Sequence, residues 1–454
     1  MSAASHSRGT APGGPPSADL SSSVPRPSGL VLSPFRALRF DPATAGDLAA
    51  LTSPPYDVLS DDEVLALEAR SEHNVVRLIL PRDDAAGGQD RYARAAATLR
   101  SWRAEGVLRP DDVPALYVYE QAAPDGHVQR GLLGALGLTP AEDEIVLPHE
   151  NTMAGPVSDR LALYTAVEAD LEPIFLVYDG GGAASAAVAS VTDDSPGGPR
   201  LLVDAELGDG LRHRLWAITD PQVLAAVAAD LHPRKALIAD GHHRYATYLQ
   251  RQQQRWAAGD GAGPWDAGLC LLVDATAFGP QVHPIHRFVP GQPVARLAEL
   301  AARGAAVRRL DLSLDEALAE LRAAGTGGPA FLLADAAATE LHLVSEPDPV
   351  QLAAAVPPGR SAAWAALDVS VLHAFLVAEL WGLPDDVEHV GYEHDVAGAL
   401  AAAGRTDGTA VLLNPTPVES VAAVAGSGER MPRKSTLFTP KPRTGLVIRD
   451  HRDG

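Results

Sequence analysis

Apolar and polar positions alternate along this chain in blocks that predict a mixture of strands and helices. Residues 115–121 and 130–138 flank Pro124-Asp125-Gly126 and read as an antiparallel strand pair joined by a turn. Stretches 74–80, 173–178, 235–239 and 268–275 are apolar almost throughout and read as buried strands. Residues 213–219 alternate in polarity, as a half-buried strand does. Helices are predicted where the period lengthens. Ser60-Asp-Asp-Glu63 is a capping box for a helix running to Arg70, and residues 91–104 are amphipathic. A helix over 161–169 follows a long polar loop, Asp220-Pro221 opens another, and residues 245–258 form one rich in Gln and Arg. Residues 180–199 read as loose. Residues 282–289 carry His283 and His286; three apart on one strand, they point to opposite faces, so only one can face a central site.

Beyond Pro290 the pattern gives helix, strand, helix and two strands up to about residue 345, then a helix over 367–383. A strand–helix–strand–helix run over 387–425 closes the pattern. At 454 residues the chain is too long for one simple core. The expected fold is α/β, of mixed α+β character, with a mixed-sheet main domain over 30–289 and a smaller α+β domain over 290–385. A C-terminal segment over 386–454 packs back on the body. The Ser-, Pro- and Gly-rich residues 1–29 lack the apolar run of a signal peptide and read as a disordered tail.

The sharpest change of polarity falls at Lys235-Ala-Leu-Ile-Ala-Asp-Gly-His-His-Arg-Tyr245. A buried strand runs into Asp240, Gly241, His242, His243 and Arg244, and a helix follows. In α/β sheets ligands gather at the carboxyl ends of strands, and a helix N-terminus favours anions. Gly241 allows backbone to approach a ligand closely. The alternative is a polar loop whose histidines bond locally. A second polar stretch, residues 147–160, places His149, Glu150, Asp159 and Arg160 between apolar elements, where they line a pocket or a surface loop. A third, Met431-Pro-Arg-Lys-Ser-Thr-Leu-Phe-Thr-Pro-Lys441, presents Lys434, Ser435, Thr436 and Lys441 on a proline-stiffened segment suited to phosphate or carboxylate.

Composition narrows the field. Net charge is −21, which argues against a nucleic-acid surface or an anionic-membrane partner and leaves a small-molecule substrate. No apolar run reaches membrane-spanning length. Cys270 is the single cysteine, so disulfide scaffolds are excluded and a reducing cytoplasm is the expected compartment. Of 37 basic residues only Lys235, Lys434 and Lys441 are lysine. Where Arg has displaced Lys so widely, Lys434 and Lys441, seven apart in one segment, mark positions that need a compact point charge, while Lys235, at a strand edge, is equally read as a chance survivor.

These motifs together resemble the bacterial and archaeal domain-of-unknown-function family 1015. Its hallmarks are A-D-G-H-H-R-Y, here Ala239 to Tyr245, and M-P-x-K-S-T-x-F-x-P-K, here Met431 to Lys441. P-P-Y-D (Pro54 to Asp57), N-V-V-R-L (Asn74 to Leu78), P-H-E-x-T (Pro148 to Thr152), G-P-x-x-D-R (Gly155 to Arg160) and H-R-L-W (His213 to Trp216) support it. The Lys that usually follows G-P in that family is absent; Val157 and Ser158 stand there. More remotely, D-G-H-H-R is similar to the phosphate-binding turn of the ParB-like group, which includes free-serine kinases. That likeness implies Asp240 near substrate or Mg²⁺ and Gly241 to Arg244 around phosphates.

Three functions are carried forward. The first is a phosphotransferase using ATP or ADP with Mg²⁺ on a small hydroxyl substrate, with His242, His243 and Arg244 on phosphate, Asp240 or Glu150 as base or Mg²⁺ ligand, and Lys434 neutralising charge. Neither a P-loop nor a kinase Gly-rich loop is present. The second is a phosphate-ester hydrolase working through His, or through a metal held by His, Asp and Glu. The third is a nucleotide-sensing module without turnover.

Overall fold

The computed structural model describes residues 26–83, 90–191 and 198–453. The tail over 1–25 and part of the 180–199 stretch lie outside them. The end of the tail is tied down at Ser28, whose Oγ bonds His232 Nε2 at 3.3 Å, and just beyond it Leu30 N–H donates to the His232 carbonyl at 3.1 Å.

The fold is α/β with a mixed main sheet. Among the described residues nine strands form it. Val146–Leu147, Ala236–Asp240, Ile174–Tyr178, Ala267–Asp274, Val128–Gly137, Leu116–Ala122, Arg212–Ile218 and Arg200–Glu206 lie side by side in that order, and Leu32–Ser33 pairs with Val128–Gly137. Ala236–Asp240 runs parallel to Val146–Leu147, and Ala267–Asp274 parallel to Ile174–Tyr178; the other pairs are antiparallel. The two-residue period of each strand divides the core. Ile238, Leu176, Cys270 and Leu272 pack under helices on one face, while Leu237, Ala239, Phe175 and Leu271 face the other way.

That second face does not meet solvent. It continues into the core of a six-stranded, wholly antiparallel sheet built from Ala306–Leu310, Leu341–Ser345, Phe331–Ala334, Thr409–Leu413, His286–Val289 and Gly391–Glu393. Leu333, Val411 and Phe375 share one buried cluster with Leu237 and Phe175. Strands from before residue 290 and after residue 385 thus lie in one sheet with those between. The C-terminal segment packs back as expected. Leu437–Thr439 pairs with Gln281–His283, Ile448 exchanges backbone bonds with Leu38, and Arg449–Asp450 pairs with Ala169–Asp170.

Three local expectations need correction. Residues 74–80 are not a strand: Val76–Ile79 is helical. Asn74 causes the turn, its Oδ1 accepting from the Val76 N–H at 2.9 Å and its Nδ2 donating to the Ala50 carbonyl at 2.7 Å. Residues 182–189 form a helix of Gly, Ala, Ser and Val within the stretch read as loose. His283 and His286 lie on separate strands in separate sheets, and neither faces the central cavity. His286 is buried, its Nδ1 accepting from the Leu413 N–H at 3.2 Å.

Candidate functional site

The buried strand Ala236–Asp240 and the helix His242–Ala257 are separated by Gly241 alone. Gly241 has φ +93°, and a Cβ there would sit 3.1 Å from both Arg244 Nε and Ile174 Cγ2. Both the conformation and the space call for glycine. The helix therefore starts earlier than its polarity predicts. His242, His243 and Arg244 occupy its first turn and not a preceding loop. No side chain caps this start, which leaves first-turn N–H groups facing a cavity of about 880 Å³. The 54–60 segment, the 149–156 loop and the 434–443 segment wall the cavity, and Ile285 and His394 enter it from the second-sheet side.

Asp240 sits between two cations. Its Oδ2 accepts from Arg244 Nη2 at 2.5 Å, and its Oδ1 lies 2.6 Å from Lys441 Nζ. Lys441 Nζ also donates to Asp57 Oδ2 at 3.2 Å. The C-terminal lysine segment thus meets the central turn directly. Burial opposes charge on Lys441, but Asp240 and Asp57 outweigh it and hold the ammonium's pKa above its ordinary value. Partial burial likewise pushes Asp57 up, yet Lys441 and Arg244 bring it below the usual carboxylate range. Arg244 is 1% exposed and also donates to the Pro173 carbonyl at 2.7 Å. Its charge is already compensated inside the protein.

Glu150 differs. It is half-buried and lines the cavity. Burial raises its pKa, and Asp240 adds to the rise; Lys434, Lys441 and the Ser435 backbone N–H counter only part of it. Lys434 is exposed, with no carboxylate at ion-pair distance among the described residues. Its φ of +52° is unusual for a residue with a side chain.

The histidines brace the 149–153 loop. His242 Nε2 accepts from the His149 N–H at 3.2 Å, and His243 Nε2 accepts from the Met153 N–H at 3.0 Å. Both rings are therefore neutral acceptors, and burial lowers both pKa values. His149 is 1% exposed, bonds Thr436 Oγ1 at 3.0 Å, and is pushed by burial down to about 4. His242 and His243, expected to hold phosphate, are thus uncharged acceptors in this arrangement.

Of the remaining expected residues, Thr436 lines the cavity. Ser435 is buried away from it, its hydroxyl donating to the Pro432 carbonyl. Asp159 and Arg160 are not brought to the cavity. They lie on the helix Ala154–Val167, which begins inside the stretch read as loop. There Asp159 accepts from Arg91 and Tyr92 at 2.8 Å each, and Arg160, 2% exposed, donates to the Ile79 carbonyl at 2.5 Å. Missed by the sequence reading were Asp57, His394 and Arg443. Asp57 carried a signal, since the two prolines before it fix the turn that aims it. His394 and Arg443 carried none.

What stands assembled is a two-sheet α/β chain with a charged cavity between a strand end, a helix start and a C-terminal strap. The profile of the family described as "Protein of unknown function (DUF1015)" matches residues 32–370, and the chain belongs to that family. No curated protein matches. Among solved structures, a free serine kinase in complex with AMP is 15% identical over 67% of this chain and 88% of that one, with a TM-score of 0.34. A conserved hypothetical protein from Pyrococcus furiosus is 15% identical over 72% and 98%, with a TM-score of 0.33. SbnI from Staphylococcus aureus is 10% identical over 70% and 87%, also with a TM-score of 0.33. Likenesses this loose assign neither residues nor activity here, and none of these three bears on the ParB-like reading of the turn. Among the described residues no helix is long and apolar enough to cross a membrane.

Proposed function

We propose that this chain is a nucleotide-dependent phosphotransferase acting on the hydroxyl of a small substrate. One juxtaposition supports the reading: an uncapped helix start, a lysine with no carboxylate at ion-pair distance among the described residues and a carboxyl of raised pKa all open on one cavity. The cavity's volume is in the range of small-molecule sites. The helix N–H groups beyond Gly241 take a phosphate. Lys434 neutralises charge as the phosphoryl group transfers. Glu150, whose pKa is raised toward neutrality, receives the proton of the attacking hydroxyl. Asp57, held below the usual carboxylate range by Lys441 and Arg244, lines the same cavity as a carboxylate that stays ionised.

Magnesium bound to phosphates needs only one or two protein carboxylates. Asp57, held below the usual carboxylate range, is the oxygen donor that would hold it, and the ion would supply charge neutralisation between phosphates. Among the described residues no three His, Cys, Asp or Glu side chains are grouped as a protein-built metal centre needs. In the hydrolase alternative water takes the place of the substrate hydroxyl as nucleophile in the same cavity.

The test is thermal shift with ATP, ADP, CTP and phosphoserine, each with and without Mg²⁺. It is followed by ³¹P NMR of mixtures with small hydroxyl compounds. A ligand at 100 times its Kd adds about 2.7 kcal/mol of stability. A nucleotide shift that disappears in Lys434→Ala, with phosphoryl transfer, is the expected result. Binding without turnover would leave the nucleotide-sensing reading. A shift with phosphoserine alone would move the assignment to the hydrolase.

A further inference from the structure

Lys434 stands in the cavity on a left-handed backbone, and something outside the 434–443 strap holds it there. Arg287 does so. Its side chain is 1% exposed and its guanidinium reaches four acceptors. Nη2 donates to the carbonyls of Lys434 at 2.9 Å and Arg433 at 3.2 Å, Nη1 to the carbonyl of Ile285 at 2.5 Å, and Nε to His373 Nε2 at 3.1 Å. The face of Tyr392 lies 4.5 Å from the guanidinium carbon. Because His373 Nε2 accepts, its proton sits on Nδ1, which donates to Asp385 at 2.8 Å. His373 belongs to a π-helical stretch, Leu372–Leu380, a distortion that recurs at functional sites. Arg433, beside Lys434, donates to the Asp385 carbonyl at 3.1 Å and closes the loop.

We infer that Asp385, His373 and Arg287 form a positioning relay, anchored in the second sheet and its π-helix, that sets the place of Lys434 in the cavity. The relay touches no ligand itself; it acts through the backbone of residues 433–434. A guanidinium fork is the side chain that can serve this many directed acceptors at once, which a lysine at this position could not match. Its functional consequence rests on the phosphotransferase reading, but the relay itself does not.

The chain's three lysines make the test direct. Full-length protein is labelled with ¹³C-lysine, and the Lys434 side-chain signal is assigned by its loss in Lys434→Arg. Two variants are compared with wild type. His373→Leu removes the acceptor from the buried core, and Asp385→Ala acts at the half-exposed end of the relay, where folding is little affected. The expected result is that the Lys434 signal shifts or broadens in both, more in His373→Leu, while Lys235 and Lys441 stay in place. A Lys434 signal unchanged in Asp385→Ala, or all three signals moving together there, overturns the relay. A Lys434 signal that moves as expected in a protein that transfers no phosphoryl group would sink the phosphotransferase reading and leave the relay standing.

Discussion

Lys434 and Lys441 lie on one strap, both facing one cavity, yet the protein treats them in opposite ways. Lys441 is tied to the main sheet. Its carbonyl accepts from Gln121 at 3.0 Å, that of Pro440 accepts from Gln129 at 2.9 Å, and its ammonium is paired with Asp240 and Asp57. Lys434 is tied to the second sheet through Arg287, and its ammonium has no partner carboxylate among the described residues. One lysine completes a charge network; the other stays exposed, near Glu150 but with no carboxylate at ion-pair distance among the described residues. A polar residue near a ligand site is therefore not informative by type alone. What matters is whether its hydrogen-bonding capacity is already filled from within.

The comparison can be broken by substitution. The largest expected effect is at Arg244, which belongs with Lys441 on the structural side. Arg244→Ala leaves Asp240 without one cation and Glu172 and Asp57 without a neighbouring positive charge. Breaking a buried pair costs about 3–5 kcal/mol, so the variant should melt far below wild type in calorimetry. Next comes Lys434→Ala. Under the phosphotransferase reading turnover falls about 10²–10³-fold while Tm stays within a degree or so, about what an exposed site allows. Equal loss of stability in Lys434→Ala and Lys441→Ala would abolish the distinction. Lys441→Ala itself should cost about 1–3 kcal/mol, the penalty of leaving buried carboxylate oxygens less well paired, read as a lowered denaturant midpoint at unchanged slope. Gly241→Ala forces φ +93° on an L residue and should cost about 1–2 kcal/mol.

The smallest effect is in the pH response, and its sign is fixed. His149 is held at about 4 against an ordinary 6.5, so the folded state disfavours its protonation. The stability it contributes is fully present above about pH 6.5 and is lost as pH falls toward 4. Chemical denaturation across that window should show a decline in wild type that is smaller in His149→Gln. Activity, by contrast, should fall on the acid side above the ordinary carboxylate range, because Glu150 takes up its proton early.

Much of this architecture could be read from the residues. The buried strand before Asp240, the capping box at Ser60 and the return of the C-terminal segment all follow from polarity and turn chemistry. What could not be read has physical causes. Residues 74–80 are buried on every side, Arg77 and Leu80 apart, so neither the period of a helix nor that of a strand shows, and the Asn74 side chain decides. Helix 182–189 is built of small residues that give no apolar stripe. In the site, Lys434, Lys441, Asp240 and Glu150 were found because their charges stand out against apolar or arginine-rich surroundings. Arg287 was invisible because it is one arginine among many, and its value lies in backbone carbonyls brought near by folding. Asp159 and Arg160 were misleading because they are complementary to each other and need no ligand.

The order of synthesis gives the strap a further consequence. Every described strand of the main sheet has been synthesised by residue 274 and every described strand of the second sheet by residue 413, while both cavity lysines come later. Domains generally fold as units, N-terminal first. When the last described strand of either sheet has been made, the carboxylates Asp57, Glu150 and Asp240 that line the cavity are already in the chain and its lysines are not. Under the phosphotransferase reading, the lysine that neutralises phosphate charge is thus added to the chain only after every described strand of both sheets is in place in the sequence.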